Sequence, residues 1–323
     1  MAKTTAATSE AQGFQSAPEV VENASKPATL LDSITTETTL LSACQHTLPI
    51  GWFDANGERQ QSFTLKAFTG KDELELSALT TRYRDKIAEV LPVFLSRMIE
   101  TIGGTPIAEV AKSQSLSTQK LCENLFLADA LQVLLQLRLD AIGPDVQLSG
   151  QCPICQTVNK DREGEYSDLS TVEVQMVKGL THPIIEIVLP DGATVFEDFI
   201  KRIQIRAPKL YDLKRMAKQA KDGQAEYRVN HRILLNTVVG LPESEAYGNS
   251  MNSDRTAISA AGIEALYEQL TARDRSYLQK CINKVSNFGP AMTIEMVCRA
   301  CGYDDWSAEV PWRDLPTFLS YPA

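Results

Sequence analysis

The sequence predicts an α+β fold: two pseudo-symmetric copies of one hairpin–helices–knuckle module, preceded by a disordered N-terminal arm. Three observations predict it. A 30-residue stretch starting at Gly143 recurs 146 positions later. Each half opens on a tight-turn dipeptide between apolar runs and continues with apolar residues at helical spacing. Each half also carries one Cys-x-x-Cys pair at the same place.

The repeat is clearest around Gly143-Pro144, which matches Gly289-Pro290. The same offset places Cys152 on Cys298, Cys155 on Cys301, Glu163 on Glu309, Asp168-Leu169 on Asp314-Leu315 and Thr171 on Thr317. That makes 8 identities in 30 ungapped positions, where chance gives about two. Upstream, Phe63 to Ala67 pairs with Ile203 to Ala207, and Asp72 with Asp212, at offset 140. Earlier still, Asn56-Gly57 pairs with Asp191-Gly192 at offset 135, the drift that loop insertions produce. A period this long means a duplicated domain rather than a solenoid. The expected division is an arm over residues 1–44, a first copy over 45–177 and a second over 178–323.

The arm is read from composition. Residues 1–40 hold seven Ala, eight Thr, four Ser and a single aromatic, Phe14. Such a stretch buries too little surface to offset its ordering entropy, and no apolar run follows Lys3 as a signal peptide requires. A small amphipathic patch of Leu30, Leu31, Ile34, Leu40 and Leu41 offers a docking surface within it. Each copy then opens on a hairpin, turning at Asn56-Gly57 or Asp191-Gly192, since both residue types tolerate positive φ. Helices are expected over residues 88–102 and 227–239, ending near Gly103 and Gly240. A second pair is expected over 120–142, apolar nearly all round and therefore buried, and over 272–288, with Thr271 and Asp274 placed as a capping box. Both stop at Gly-Pro. A short strand runs into each cysteine pair, and another lies near Asp168-Leu169 or Asp314-Leu315. Residues 241–256 read as an exposed loop.

The cysteines carry the sharp chemical signal. Cys152-Pro-Ile-Cys155 and Cys298-Arg-Ala-Cys301 are knuckles whose spacing lets two thiolates face one tetrahedral ion. A structural site needs four ligands, and no other cysteine or histidine has a paired spacing near either knuckle. Two copies packed about a pseudo-twofold axis bring the knuckles together, so Cys152, Cys155, Cys298 and Cys301 are expected to hold one structural Zn2+. Redox dithiols and plain cysteines are the competing readings. The former is disfavoured because each motif follows a helix and a strand instead of standing at a strand-to-helix turn. Cys44, Cys122 and Cys281 read as small core residues, and a secreted disulfide framework does not suit an odd count of 7.

Composition excludes further classes. The 32 basic and 41 acidic residues leave −9, which disfavours polyanion binding over a broad basic face. A bilayer span needs roughly 20 apolar residues and none is present. His46, His182 and His231 have no partner spacing, and Gly103-Gly104 lacks the Lys-Ser/Thr of a phosphate loop. The basic run Lys209, Lys214, Arg215, Lys218 and Lys221 reads as a solvated helix face, as do Asp85 and Glu89; Arg273-Asp-Arg275 reads as surface ion pairs. In the tail, Trp312 and Phe318 are expected to cover the second knuckle as Tyr166 and Val172 cover the first. The last residues are alternatively an anchor for another subunit.

The order of Leu135-x-Leu137-Arg138-Leu139-x-x-x-Gly143, a strand, Cys152-Pro-x-Cys155 and Asp168-Leu169 resembles baseplate hub assembly chaperones and hub subunits of contractile-tailed phages of the T-even type. Phe63 to Leu74 looks like the opening strand of that family and the Thr-Gly-Lys-Asp element after it. The resemblance covers most of residues 60–175 and, more loosely, 184–302. It implies a non-enzymatic protein that helps assemble, or stays within, a tail hub. The implied partners are other hub, tail tube or tape-measure proteins, met in the host cytoplasm during assembly or in the baseplate of the virion. Two other classes stand beside it: a zinc-ribbon adaptor touching nucleic acid or a macromolecular complex, and an enzyme with a structural zinc, which lacks a nucleophile–base pair here.

Overall fold

The computed structural model describes residues 30–83, 86–161, 165–195, 198–214, 238–240 and 260–320. Among these, a short helix α1 (Leu30–Ser33) and strand β1 (Thr35–Leu40) lead into the hairpin β2 (Thr47–Phe53) and β3 (Arg59–Leu65). Helices α2 (Gly70–Tyr83) and α3 (Ile87–Met98) follow, then β4 (Ile99–Ile102), β5 (Thr105–Pro106), α4 (Ile107–Ser113), α5 (Thr118–Asn124) and α6 (Leu127–Ala141). Small strands β6 (Asp145–Val146), β7 (Ser149–Gln151), β8 (Val158–Lys160) and β9 (Ser167–Asp168) precede β10 (Glu173–Lys178). The second half holds β11 (Ile185–Val195), β12 (Asp198–Ile205), β13 (Val238–Gly240), α7 (Ala260–Gln269) and α8 (Ala272–Ser286). It closes with β14 (Gly289–Pro290), β15 (Thr293–Glu295), β16 (Ser307–Glu309) and α9 (Leu315–Phe318). The class is mixed α and β, with several small antiparallel sheets.

The two halves share their opening geometry. The sheet β2-β3-β4 in one is matched by β11-β12-β13 in the other. In the first, Thr47 faces Ser62 but Trp52 faces Gln60; in the second, Val188 faces Arg202 but Ala193 faces Ile200. The interruption is the same size in both, and a glycine with positive φ sits in each: Gly51 at 98° and Gly192 at 84°. A second irregularity recurs on the next strand, between Thr64 and Leu65 where β3 meets β4, and between Gln204 and Ile205 where β12 meets β13. The following turns also agree. Thr69 N–H donates to the Asp72 carboxylate at 2.9 Å, and Lys209 N–H to that of Asp212 at 2.8 Å.

A buried aspartate clamps each bulge. Asp129, early in α6, accepts from Ile50 N–H at 2.8 Å and Gly51 N–H at 3.0 Å. Asp274, at the matching place in α8, accepts from Asp191 N–H at 2.9 Å. Both carboxylates are fully buried. A buried charge persists only where hydrogen bonds replace its water, so these contacts fix the hairpin against the helix. Burial pushes Asp129 up to about 7, while the Ile50 and Gly51 N–H groups and the charge of Arg59 pull it down.

Two apolar clusters form the core. One gathers β2, α3, α5 and α6 and takes in Met292, Ala308, Val310, Trp312, Leu315 and Phe318 from the C-terminal end. The other gathers β11, β12, α7 and α8, with Leu31, Ile34, Ile50, Phe126 and Ala128 from the N-terminal half. Each half thus completes the core of the other.

Several expectations change. Residues 31–44, expected within the arm, are folded: Leu31 and Ile34 are buried in the second cluster, Leu41 in the first, and β1 pairs with β10, while residues 1–29 lie outside the described residues. Leu31, Ile34 and Leu41 of its amphipathic patch pack within the chain, whereas Leu40 is exposed. Asp191-Gly192 is not the hairpin turn; it lies inside β11 at the bulge, and the strand continues to Val195. The helix expected over 88–102 ends at Met98, because Ile99 to Ile102 pair with β3. The helix expected over 120–142 breaks at Leu125-Phe126, where the chain from the second half enters. Leu127 N–H donates to Pro208 O at 2.8 Å and Leu210 N–H to Leu125 O at 2.9 Å. Residues after Asp314 form α9, not a strand, and Trp312 and Phe318 sit in the first core, not over the second knuckle. Arg273 makes an exposed ion pair with Asp191 at 3.3 Å as expected, whereas Asp274 beside it is buried. Thr271 caps α8 as expected, accepting from Asp274 N–H at 3.1 Å. Most of the helix expected over 227–239, the loop 241–256, His231, Asp85, Arg215, Lys218 and Lys221 lie outside the described residues; Val238-Val239 belong to β13.

Candidate metal centre

Each knuckle is a turn carried on a two-stranded ribbon. Strands β7 and β8 pair antiparallel around Cys152 to Cys155, and β15 and β16 do so around Cys298 to Cys301. The turns are alike bond for bond. Cys152 N–H donates to Thr157 O at 3.0 Å and Cys298 N–H to Tyr303 O at 2.7 Å. Gln156 N–H returns to Cys152 O at 3.0 Å and Gly302 N–H to Cys298 O at 2.8 Å. Both turns close through a residue of positive φ, Gln156 at 59° and Gly302 at 74°.

The ribbons lie against each other because Gly150 leaves room. A Cβ there would meet the Trp306 ring at 2.8 Å and the Ala308 methyl at 3.1 Å. Stacked this way, the Sγ atoms of Cys152, Cys155, Cys298 and Cys301 all fall within 4.8 Å of one another. The pairs across the interface are Cys155 with Cys298 at 3.5 Å and Cys152 with Cys301 at 3.8 Å. A tetrahedral ion with metal–sulfur bonds of about 2.3 Å spaces its sulfurs about 3.8 Å apart, so the donor set fits. Cys152 and Cys298 are buried; Cys155 and Cys301 face solvent.

One side chain supports the group from behind. Buried Asn159 donates from Nδ2 to Cys298 Sγ at 3.5 Å, and its Oδ1 accepts from Arg299 N–H at 2.9 Å. It ties the first ribbon to the second knuckle. Arg299 also pairs with Glu165. The electrostatics are those of crowded thiols. The Cys301 and Ala300 N–H groups draw the Cys298 thiol down to about 6, and the Thr157 hydroxyl lowers Cys155. Cys301 is pushed up to about 12: the Tyr303 N–H lowers it, but Cys298, burial and the other sulfurs outweigh that. Four thiols packed this closely cannot all ionise unless a cation sits among them. With all four positions filled by sulfur, such a centre has no open coordination site.

The four cysteines singled out in the sequence are therefore brought together. Asn159 and Gly150 are further contributors whose roles no local motif announces. Cys44, Cys122 and Cys281 are buried elsewhere, and burial pushes the Cys122 thiol up. Of the histidines, His46 pairs with Asp140 at 3.3 Å and His182 bonds its own turn at Ile184. Lys214 is taken up by Glu89 at 2.9 Å and Glu123 at 3.0 Å, and Lys209 lies over the Phe126 ring. Among the described residues, no helix is long and apolar enough to cross a membrane. No family model, no curated protein and no solved structure matches the chain.

Proposed function

We propose that this is a non-enzymatic structural or assembly-chaperone protein, built from two copies of one module and cross-braced by a single zinc ion. The observation that carries the reading is the convergence of four sulfurs, two from each half, within 4.8 Å. The matching bulges, buried aspartates and knuckle turns support the duplication, because independent origins rarely repeat an irregularity at the same register. A closed sulfur set has no coordination site for substrate, so the metal would contribute folding energy and rigidity. Zinc is favoured over other soft-ligand metals because two short knuckles offering four thiolates are its ordinary structural site.

The resemblance of residues 60–175 to contractile-tail hub chaperones and hub subunits supplies the biological setting: assembly of, or residence in, a baseplate hub. Two of the five residues in the basic run, Lys209 and Lys214, are engaged inside the molecule, which weighs against the nucleic-acid adaptor. Metal analysis of the purified chain should give about one zinc per polypeptide; two, none or iron would defeat the shared zinc site. A pull-down from the producing system should recover tail tube, tape-measure or hub proteins. Recovery of the chain alone would count against the hub setting and leave the zinc site standing.

A further inference from the structure

The sulfur cluster is asymmetric in access. Cys155 and Cys301 are exposed, whereas Cys152 and Cys298 are buried. Each exposed sulfur has a buried one from the opposite half beside it: Cys155 meets Cys298 at 3.5 Å and Cys301 meets Cys152 at 3.8 Å. Asn159 holds Cys298 in place through its 3.5 Å contact with Sγ. We propose that the centre is also an oxidative modification site, at which a peroxide converts the two cross-ribbon sulfur pairs into disulfides and expels the metal. The inference rests on the shared metal site described above.

The chemistry follows from access and order. A peroxide reaches an outer sulfur first and transfers one oxygen to it, giving a sulfenic acid and one water from hydrogen peroxide. The sulfenic sulfur is then attacked by the buried thiolate of the other half, which lies 3.5 or 3.8 Å from it. The S–O bond breaks, the S–S bond forms and a second water leaves. Per disulfide, two thiolates lose two electrons, one peroxide gains them and two protons are consumed. Two such events use four thiolates, two peroxides and four protons, and release the cation with four waters. A disulfide sulfur is no longer a thiolate ligand, so release is obligatory. The outcome differs from that of an ordinary Cys-x-x-Cys pair, which closes on itself. Here the metal brace between the halves is replaced by a covalent one.

The test uses the full wild-type chain as purified. It is treated with hydrogen peroxide while a chromogenic chelator follows metal release, and the disulfides are mapped by mass spectrometry without reduction. The expected result is metal release in step with Cys155–Cys298 and Cys152–Cys301 linkage, reversed by a dithiol reductant and added zinc. Disulfides within a knuckle, Cys152–Cys155 or Cys298–Cys301, would overturn the proposal. So would sulfinic acids without disulfides, or no reaction with peroxide. Cys155→Ser should leave Cys152–Cys301 as the one linkage formed. A chain that contains no metal at the outset would defeat the zinc reading, yet its disulfide map would still decide between cross-ribbon and within-knuckle pairing.

Discussion

Helices α6 and α8 begin alike and are finished differently. Both place a fully buried aspartate, Asp129 or Asp274, against the bulge of their own hairpin. Thr271 caps α8 with its hydroxyl, whereas Phe126 has no such group and α6 starts without a side-chain cap. Its first N–H, on Leu127, is satisfied instead by Pro208 O from the second half. A helix start must find acceptors somewhere. Where another segment docks, the cap can be apolar and buried; where none does, the sequence must supply a hydroxyl. The aspartate clamp is common to both halves, and the cap depends on the contact between them.

The largest test of equivalence is at the four clustered cysteines. In the proposed zinc-bound protein, Cys152→Ser and Cys298→Ser should each cost on the order of 5 kcal/mol or more, because binding free energy at a structural zinc is folding energy. Melting temperature and bound metal, measured together, should fall to the same extent in both; a loss in one alone would mean the knuckles are not equivalent. Next come the clamps. Asp129→Ala strands two buried N–H donors and should cost about 3 kcal/mol, against about 2 for Asp274→Ala, which strands the Asp191 N–H. Equal costs in urea unfolding would mean the bulges are held by packing rather than by the carboxylates.

Asp129 also carries a pH signature. Its pKa is raised from 3.8 to about 7 in the folded chain, chiefly by burial. The folded state therefore holds the proton more tightly. The resulting stabilisation is complete below 3.8 and is lost as pH rises through about 7. Asp129→Asn should flatten the stability profile across that window relative to wild type, by a few kcal/mol at most. Parallel profiles would sink the assignment.

The repeated Gly-Pro corners separate the halves further. A Cβ at Gly289 would fall 2.5 Å from the Ala128 Cβ and 2.9 Å from its Cα, while one at Gly143 meets nothing within 4 Å. Both have positive φ, at 90° and 111°. Gly143→Ala should cost about 1 kcal/mol for backbone strain alone, and Gly289→Ala about 2–3 kcal/mol because α6 must also move. The smallest effect is expected at the cap: Thr271→Ala should cost about 1 kcal/mol, read as a shift in the thermal midpoint. A cost near zero would mean that water satisfies the start of α8 as well as the hydroxyl does.

What was legible is what is local. Two residues between cysteines, a glycine after a helix and a threonine before one each act within a few positions, so the knuckles and the α8 cap stand in the chain as written. The Asp129 clamp was not legible because its partners lie 78 and 79 residues away. An aspartate early in an apolar helix is the one hint of it. Asp191-Gly192 misled for a related reason: the dipeptide allows positive φ, and positive φ serves a bulge as well as a turn.

The order of residues already carries the available chemistry: four thiols in two matched knuckles, a recurring order of hairpin, helices and ribbon, and an acidic balance. How the pieces are shared emerges from packing in three dimensions. That packing sent Trp312 and Phe318 into the first core, threaded residues 208–211 into the gap before α6, and stacked Gly150 under Trp306 so that the ribbons meet. The two kinds of information differ in range. Backbone preference and ligand spacing act along the chain, whereas burial and close packing act between segments that sequence distance does not relate.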